Sequence, residues 1–208
     1  MTWLDNATRY PIDNHYRGRP APPDTVVLHW SAGGGEPKAV ANFLAKRRAS
    51  YHVVIGRDGH LGQLVSLDDA AWHAGDGKAW SPTPSINKRS VGICLTNRGP
   101  VTEEWIAKHG EDKAWRGAHH KRGIGWTRYE RYTPEQRAAL VALLADLKAR
   151  LPSLQYVCGH EDVTGGKGDP GPCLPLLDID WSALGLTYRR RDWRGKVWVD
   201  GGPPRQDG

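Results

Sequence analysis

The chain has 208 residues, enough for one cored domain with decorated ends, and its 29 Lys and Arg outnumber 23 Asp and Glu to give a formal net charge of +6. Cys94, Cys158 and Cys173 are odd in number and lack any Cys-x-x-Cys spacing, which speaks against a disulfide framework. No Arg/Lys-rich helix with base-reading spacing accompanies the charge, so nucleic acid is excluded as the expected partner, and anionic wall polymers or membrane surfaces fit better.

Residues 1–24, rich in Pro, Asn and Arg, read as an extended arm laid over the domain. Their first ten residues lack a basic n-region followed by an apolar h-region, and no stretch is long enough to span a bilayer. The expectation is a chain without a signal peptide, made in the cytoplasm. Thr25-Val-Val-Leu-His-Trp-Ser31 then places three aliphatic residues ahead of His29, the pattern of a buried strand that delivers an imidazole at its end.

Glu36 to Arg48 is a predicted helix with Val40, Phe43 and Leu44 on one face and Lys46, Arg47 and Arg48 in its last turn, where cations favour the macrodipole. Tyr51 to Ile55 and Gly62 to Val65 flank Arg57-Asp-Gly59 and read as a hairpin. Ser90 to Thr96 is a further strand, too apolar to lie on the surface. The stretch from 98 to 132 exceeds the roughly 12–15 residues of an ordinary loop and is an insertion. In it, Thr102 to Trp115 is expected to form a short helix, and Trp105, Trp115 and Trp126 are available to a groove wall if the insertion is more than a surface excursion.

Thr133-Pro-Glu-Gln136 is a helix start with Thr as N-cap, Pro at the first helical position and Gln where a capping box needs it. Leu140, Leu144, Leu147 and Leu151 continue that helix as a core stripe until Pro152 stops it. A short apolar strand then ends at His160, and the Gly-rich turn after it brings Lys167 and Asp169 back toward that imidazole. Residues 186–208, with Arg189 to Lys196 in their midst, form a basic tail suited to solvent or to contact with an anionic wall polymer or membrane surface.

Strands alternating with helices predict an α/β fold: a central mixed β-sheet flanked by helices, with the site at strand ends in a surface groove. Two strand-end imidazoles and one carboxylate make a three-ligand set for Zn²⁺ with the fourth tetrahedral position open, an arrangement that supports hydrolysis. A lone strand-end histidine is more often a satisfied core residue, so the combination of His29, His160 and Asp169 carries the reading. Cys173, four residues after Asp169, offers a thiolate as a rival third ligand.

Read with Ser50-Tyr-His-Val-Val-Ile-Gly-Arg-Asp-Gly59 and Ala71-Trp-His-Ala-Gly75, these segments resemble the zinc-dependent type 2 N-acetylmuramoyl-L-alanine amidases from about Thr25 to Trp181, in the expected order. The resemblance implies a catalytic domain over 25–185 and peptidoglycan as partner, with the chain expected to act as a monomer. In that family the third ligand precedes a Pro and follows a Lys by two positions, which favours Asp169 over Cys173. It further implies catalytic roles for Tyr51 and Lys167, and a groove position for His73, with Trp72 and Trp30 beside it as substrate-binding residues. The recycling branch of the family carries a Glu general base in the strand equivalent to 90–96, where this chain has Cys94 and Thr96. The expectation is therefore a phage or prophage endolysin that reaches the wall after release, through a phage holin. Its rivals are a cytosolic recycling amidase and a non-catalytic peptidoglycan-binding module.

Overall fold

In a computed structural model, which describes residues 1–75, 85–119, 125–174, 176–191 and 198–200, the chain builds an eight-stranded mixed sheet with helices on both faces. Its first half comprises β1 (Thr8–Arg9), β2 (His15–Tyr16), β3 (Thr25–Trp30), α1 (Pro37–Leu44), β4 (Val53–Ile55), β5 (Leu61–Gln63), β6 (Ala70–Ala71), the single turn α2 (Ile86–Arg89) and β7 (Ser90–Leu95). The insertion contributes α3 (Glu103–His109), β8 (Ala114–Arg116) and β9 (Arg128–Glu130). The chain then forms α4 (Pro134–Arg150), β10 (Tyr156–Gly159), the single turn α5 (His160–Val163), β11 (Thr187–Arg191) and β12 (Trp198–Asp200). Strand order is β1-β5-β4-β7-β3-β10-β11-β12, with β3 at the centre, parallel to both β7 and β10. Among the described residues no helix is long and apolar enough to cross a membrane.

Alternation along the central strands decides what each face carries. Val26 and Leu28 of β3, Val91, Ile93 and Leu95 of β7, Val53 and Ile55 of β4 and Val157 of β10 pack on one side with Leu140, Leu143, Leu144 and Leu147 of α4. The residues between them, Val27 and Cys158, pack on the other side with Ala74, Ile86 and Val163, while Val54 and Cys94 pack there against α1. His29 belongs to this second face, and its register partner on β7 is Cys94. The capping box of α4 is present as the sequence predicts: the Thr133 side chain accepts from the Gln136 amide and the Gln136 side chain accepts from the Thr133 amide.

Three local expectations change. The first helix ends at Leu44, because the amides of Lys46 and Arg47 turn back to the carbonyls of Phe43 and Leu44 and tighten the chain out of α geometry. Its buried face runs through Pro37, Val40, Ala41 and Leu44, leaving Phe43 59% exposed under the Arg47 guanidinium. In the insertion, α3 stops at Gly110, whose φ of 102° only glycine adopts readily, and Trp115 lies in a strand instead of a helix.

The boundaries of the ends also shift. Residues 8–9 pair in parallel with β5, and Leu4 is a buried core residue whose amide donates to Gln63 Oε1, so the N-terminal segment is part of the sheet and core. At the other end, β11 adds to the sheet beside β10, and Leu186 and Tyr188 are core residues, so the first part of the basic tail completes the fold. The remainder of the Arg189 to Lys196 run, beyond Arg191, lies outside the described residues.

Candidate metal centre

The parallel pairing of β3 with β10 aligns Leu28 with Gly159, so the next residues on each chain, His29 and His160, emerge side by side at the same sheet end. Their rings lie 4.5 Å apart, centroid to centroid. The following loop returns Asp169 between them, held by a hydrogen bond from the Glu161 amide to the Asp169 carbonyl at 2.9 Å. Asp169 Oδ2 is 3.1 Å from His29 Nδ1 and 3.0 Å from His160 Nδ1, and all three residues are buried. One ligand atom from each can be chosen so that all lie within 4.8 Å of one another, the one such group among the described residues.

Burial opposes the charged form of Asp169, yet hydrogen bonds with His160 and His29 outweigh it and hold the carboxyl below the usual range. Burial pushes His29 down to about 4, with the neighbouring His160 adding to the shift, so near neutral pH its ring keeps a lone pair for a metal. Two imidazole nitrogens and a carboxylate oxygen, converging in a buried site, fit a divalent ion that takes N and O ligands tetrahedrally. Cys173 is elsewhere: its thiol donates to the Glu130 carbonyl at 3.3 Å, and burial pushes it up to about 12, far from the thiolate that a metal requires.

The same shifts give a pH dependence. His29, His52 and His73 all lie below the ordinary histidine value of 6.5, burial being the first cause in each case. Because the unfolded chain takes up these protons more readily, the stability they contribute is fully present above about pH 6.5 and drains away as pH falls toward 4. The urea midpoint of metal-free protein is expected to drop steadily between pH 7 and pH 4.5. A flat profile would mean that these rings protonate in place without penalty.

Tyr51 and Lys167 stand at the rim. The Tyr51 ring centroid is 4.9 Å from that of His29, and its phenol is hydrogen-bonded to the Cys94 thiol, which β7 directs toward the site. Burial, with Cys94 and Asp169 nearby, pushes the phenol well above its ordinary value, so it remains an O–H donor. Lys167 is exposed, two residues before Asp169, and its charge reaches His29. From Tyr51 an apolar groove of 440 Å³ runs past Ser31 and Gly33 to Val40, Phe43 and Arg47, which accounts for the exposed face of α1.

The other expected groove residues are placed differently. His73 is only 6% exposed and sits behind His29, with its Nδ1 3.0 Å from His29 Nε2. It touches a candidate ligand on the side away from Asp169, because Gly92, lacking a Cβ, leaves room for its ring against β7. Trp30 packs as a half-buried wall residue: a Cβ at Gly171 or Gly99 would come within 2.4 or 2.8 Å of its ring. Trp72 is half-buried against Tyr16 and lines a separate polar depression of 210 Å³ with Arg48 and Asn87.

The insertion contacts the site through His119. His119 Nε2 lies 3.0 Å from Glu161 Oε2 and 3.1 Å from the Gly168 carbonyl, so this nitrogen carries the proton and bridges the residues that follow His160 and precede Asp169. Trp115 and Tyr129 of the β8–β9 pair pack edge-on with Tyr129 in the core, and the Glu130 carbonyl at the end of β9 accepts from the Cys173 thiol. Trp105 stacks on His109 and Trp126 is exposed.

A central mixed sheet sets two histidines side by side at adjoining strand ends, and the loop after the second returns an aspartate to them, a donor set suited to a divalent metal. Over residues 19–172 the sequence matches the N-acetylmuramoyl-L-alanine amidase family, and the chain belongs to that family. It is 26% identical over 186 residues to the N-acetylmuramoyl-L-alanine amidase AmiD of Escherichia coli, an alignment covering 85% of this chain and 59% of AmiD. To the 1,6-anhydro-N-acetylmuramyl-L-alanine amidase AmpD of Salmonella typhimurium it is 28% identical over 201 residues, covering 86% of this chain and 88% of AmpD. A crystal structure of a selenomethionine AmpD derivative superposes with a TM-score of 0.57 at 27% identity, over 88% of this chain and 96% of the other.

Proposed function

We propose that this chain uses zinc to hydrolyse the amide bond between the lactyl group of N-acetylmuramic acid and L-alanine in peptidoglycan, and that it acts on the polymeric wall as a phage or prophage endolysin. The observation that carries the chemistry is the convergence of His29, His160 and Asp169, with Asp169 within hydrogen-bonding reach of both histidines and ligand atoms of all three within 4.8 Å of one another. A pure peptidoglycan-binding module has no need of that set.

Zinc bound there supplies a water of lowered pKa and polarises the amide carbonyl. The chain's own groups do the rest. The Tyr51 O–H, kept protonated by burial, donates to the charge that develops on the carbonyl oxygen, and the Lys167 ammonium adds a second donor from the open rim. The apolar groove beside Tyr51 receives the stem peptide, with Arg47 at its far end as a partner for a peptide carboxylate.

Cys94 favours the endolysin reading. It occupies the strand position where the recycling branch has its carboxylate base, and burial pushes its thiol well up, so it takes no proton from water near neutral pH. The identity to AmpD, whose name specifies a 1,6-anhydro substrate, favours a second reading as a recycling amidase. Digestion of purified sacculi separates the two: release of L-Ala-terminated peptides from intact glycan strands is expected, weakening as salt screens the +6 chain from an anionic wall. Activity confined to soluble anhydro-muropeptides would overturn the endolysin assignment.

A further inference from the structure

Behind the metal position runs a chain of buried hydrogen bonds whose two ends are both acceptors. From Asp169 Oδ2 it passes to His29 Nδ1 at 3.1 Å, from His29 Nε2 to His73 Nδ1 at 3.0 Å, from His73 Nε2 to Ser90 Oγ at 3.0 Å, and from Ser90 Oγ to the Ile86 carbonyl at 2.5 Å. His29 and Ser90 are fully buried and His73 nearly so, so each group depends on the others for its hydrogen bonds, and an imidazole that ligates a metal through Nδ1 carries its one proton on Nε2. There are thus four links and three protons, one each on His29, His73 and Ser90, between a carboxylate and a carbonyl that can only accept.

The direction of the chain follows from its far end. The Ile86 carbonyl takes the Ser90 proton, so Ser90 Oγ accepts from His73 Nε2–H. His73 Nδ1 is then bare and accepts from His29 Nε2–H, and the link left without a proton is the one between His29 Nδ1 and Asp169. A cation belongs at that link. We infer that Ser90 and His73 are positioning residues that hold the His29 proton on Nε2 and aim the Nδ1 lone pair at the metal position.

The surroundings fix this arrangement. Asn87 Oδ1 accepts from the amides of His73 and Ala74 at 3.2 and 2.8 Å, and its Nδ2 donates to the Gly75 carbonyl at 3.0 Å. Ser90 and Gly92 alternate on the β7 face that carries the site, and a Cβ at residue 92 would lie 2.6 Å from His73 Cγ. The glycine therefore admits the ring, and the serine two residues before it sets the ring's proton. Orientation of metal-bound histidines by outer partners is worth about 10–100-fold in metal affinity.

The inference rests on the metal reading of the site, and the test separates the two. Zinc affinity of metal-free protein is measured by chelator competition, and the ring protonation of zinc-loaded wild type by ¹⁵N-resolved imidazole NMR. Ser90→Ala strands the His73 Nε2–H in dry surroundings and favours the tautomer that drives the His29 proton onto Nδ1. It is expected to weaken zinc binding by about 10–100-fold, as is His73→Leu. His73→Gln, whose side-chain carbonyl can accept from His29 Nε2–H, is expected to recover most of that loss. In the wild type, His73 is expected to be protonated on Nε2 and bare on Nδ1. The opposite tautomer, or unchanged affinity in Ser90→Ala, overturns the proposal while zinc binding by the wild type leaves the metal centre standing. A wild type that takes up no zinc overturns both.

Discussion

Asp169→Ala is expected to abolish stoichiometric zinc binding and with it all amidase turnover. Asp169 is the sole anion of the ligand set, with Oδ2 3.1 Å from His29 Nδ1 and 3.0 Å from His160 Nδ1, in a site where no ligand is more than 7% exposed. Its removal leaves two imidazoles, too few to hold a divalent ion against water. Cys173→Ser is the matched control. The thiol's bond to the Glu130 carbonyl is one that a hydroxyl reproduces, so the variant should keep full zinc content and nearly full activity. Metal analysis of both purified variants decides the matter. Zinc retained in Asp169→Ala and lost in Cys173→Ser would move the third ligand to the thiol.

Tyr51→Phe and Lys167→Ala are expected to keep zinc and fold while losing turnover, each by about 10²–10³, the typical cost of removing one oxyanion donor. Neither residue belongs to the ligand set, and both reach the site from its open side: Tyr51 through a ring 4.9 Å from that of His29, Lys167 from the loop that ends at Asp169. Because these contacts are assigned to the transition state, the loss should fall on kcat with KM little changed. Loss of zinc in Tyr51→Phe would instead make the phenol a support for His29, and near-wild-type turnover in both variants would leave them as packing and surface residues.

Several parts of this molecule are set by short-range chemistry that a sequence displays openly. The Thr133-Pro-Glu-Gln136 cap and the leucines at helical spacing specify α4 by themselves, since cap and stripe are local patterns. Runs of aliphatic residues ending in His29 and near His160 likewise mark buried strands, because only a strand covered on both faces tolerates an unbroken apolar run. Asp169 also stands out, since a Gly-rich turn returning a carboxylate is legible without a fold.

What tertiary structure alone decides is which face, and which neighbour, each side chain meets. His73 reads as a groove residue until the pairing of β3 with β7 and the space above Gly92 draw it behind His29. Ser90 carries no signal of its own, because an acceptor for an imidazole proton becomes visible only when the ring is placed over it at 3.0 Å. Phe43 turns outward and Trp30 inward for the same reason: helical and strand periodicity name a face only to within one residue, and the groove and the two glycines beside Trp30 settle the remainder. The ends of the chain join the sheet through backbone pairing, which composition does not encode, so an arm and a tail in the sequence become β1 and β11 in the fold. Local propensity and burial pattern thus determined the elements, and with the family resemblance they marked the candidate metal ligands. Non-local strand register, which joins residues more than a hundred positions apart, determined their second layer of partners.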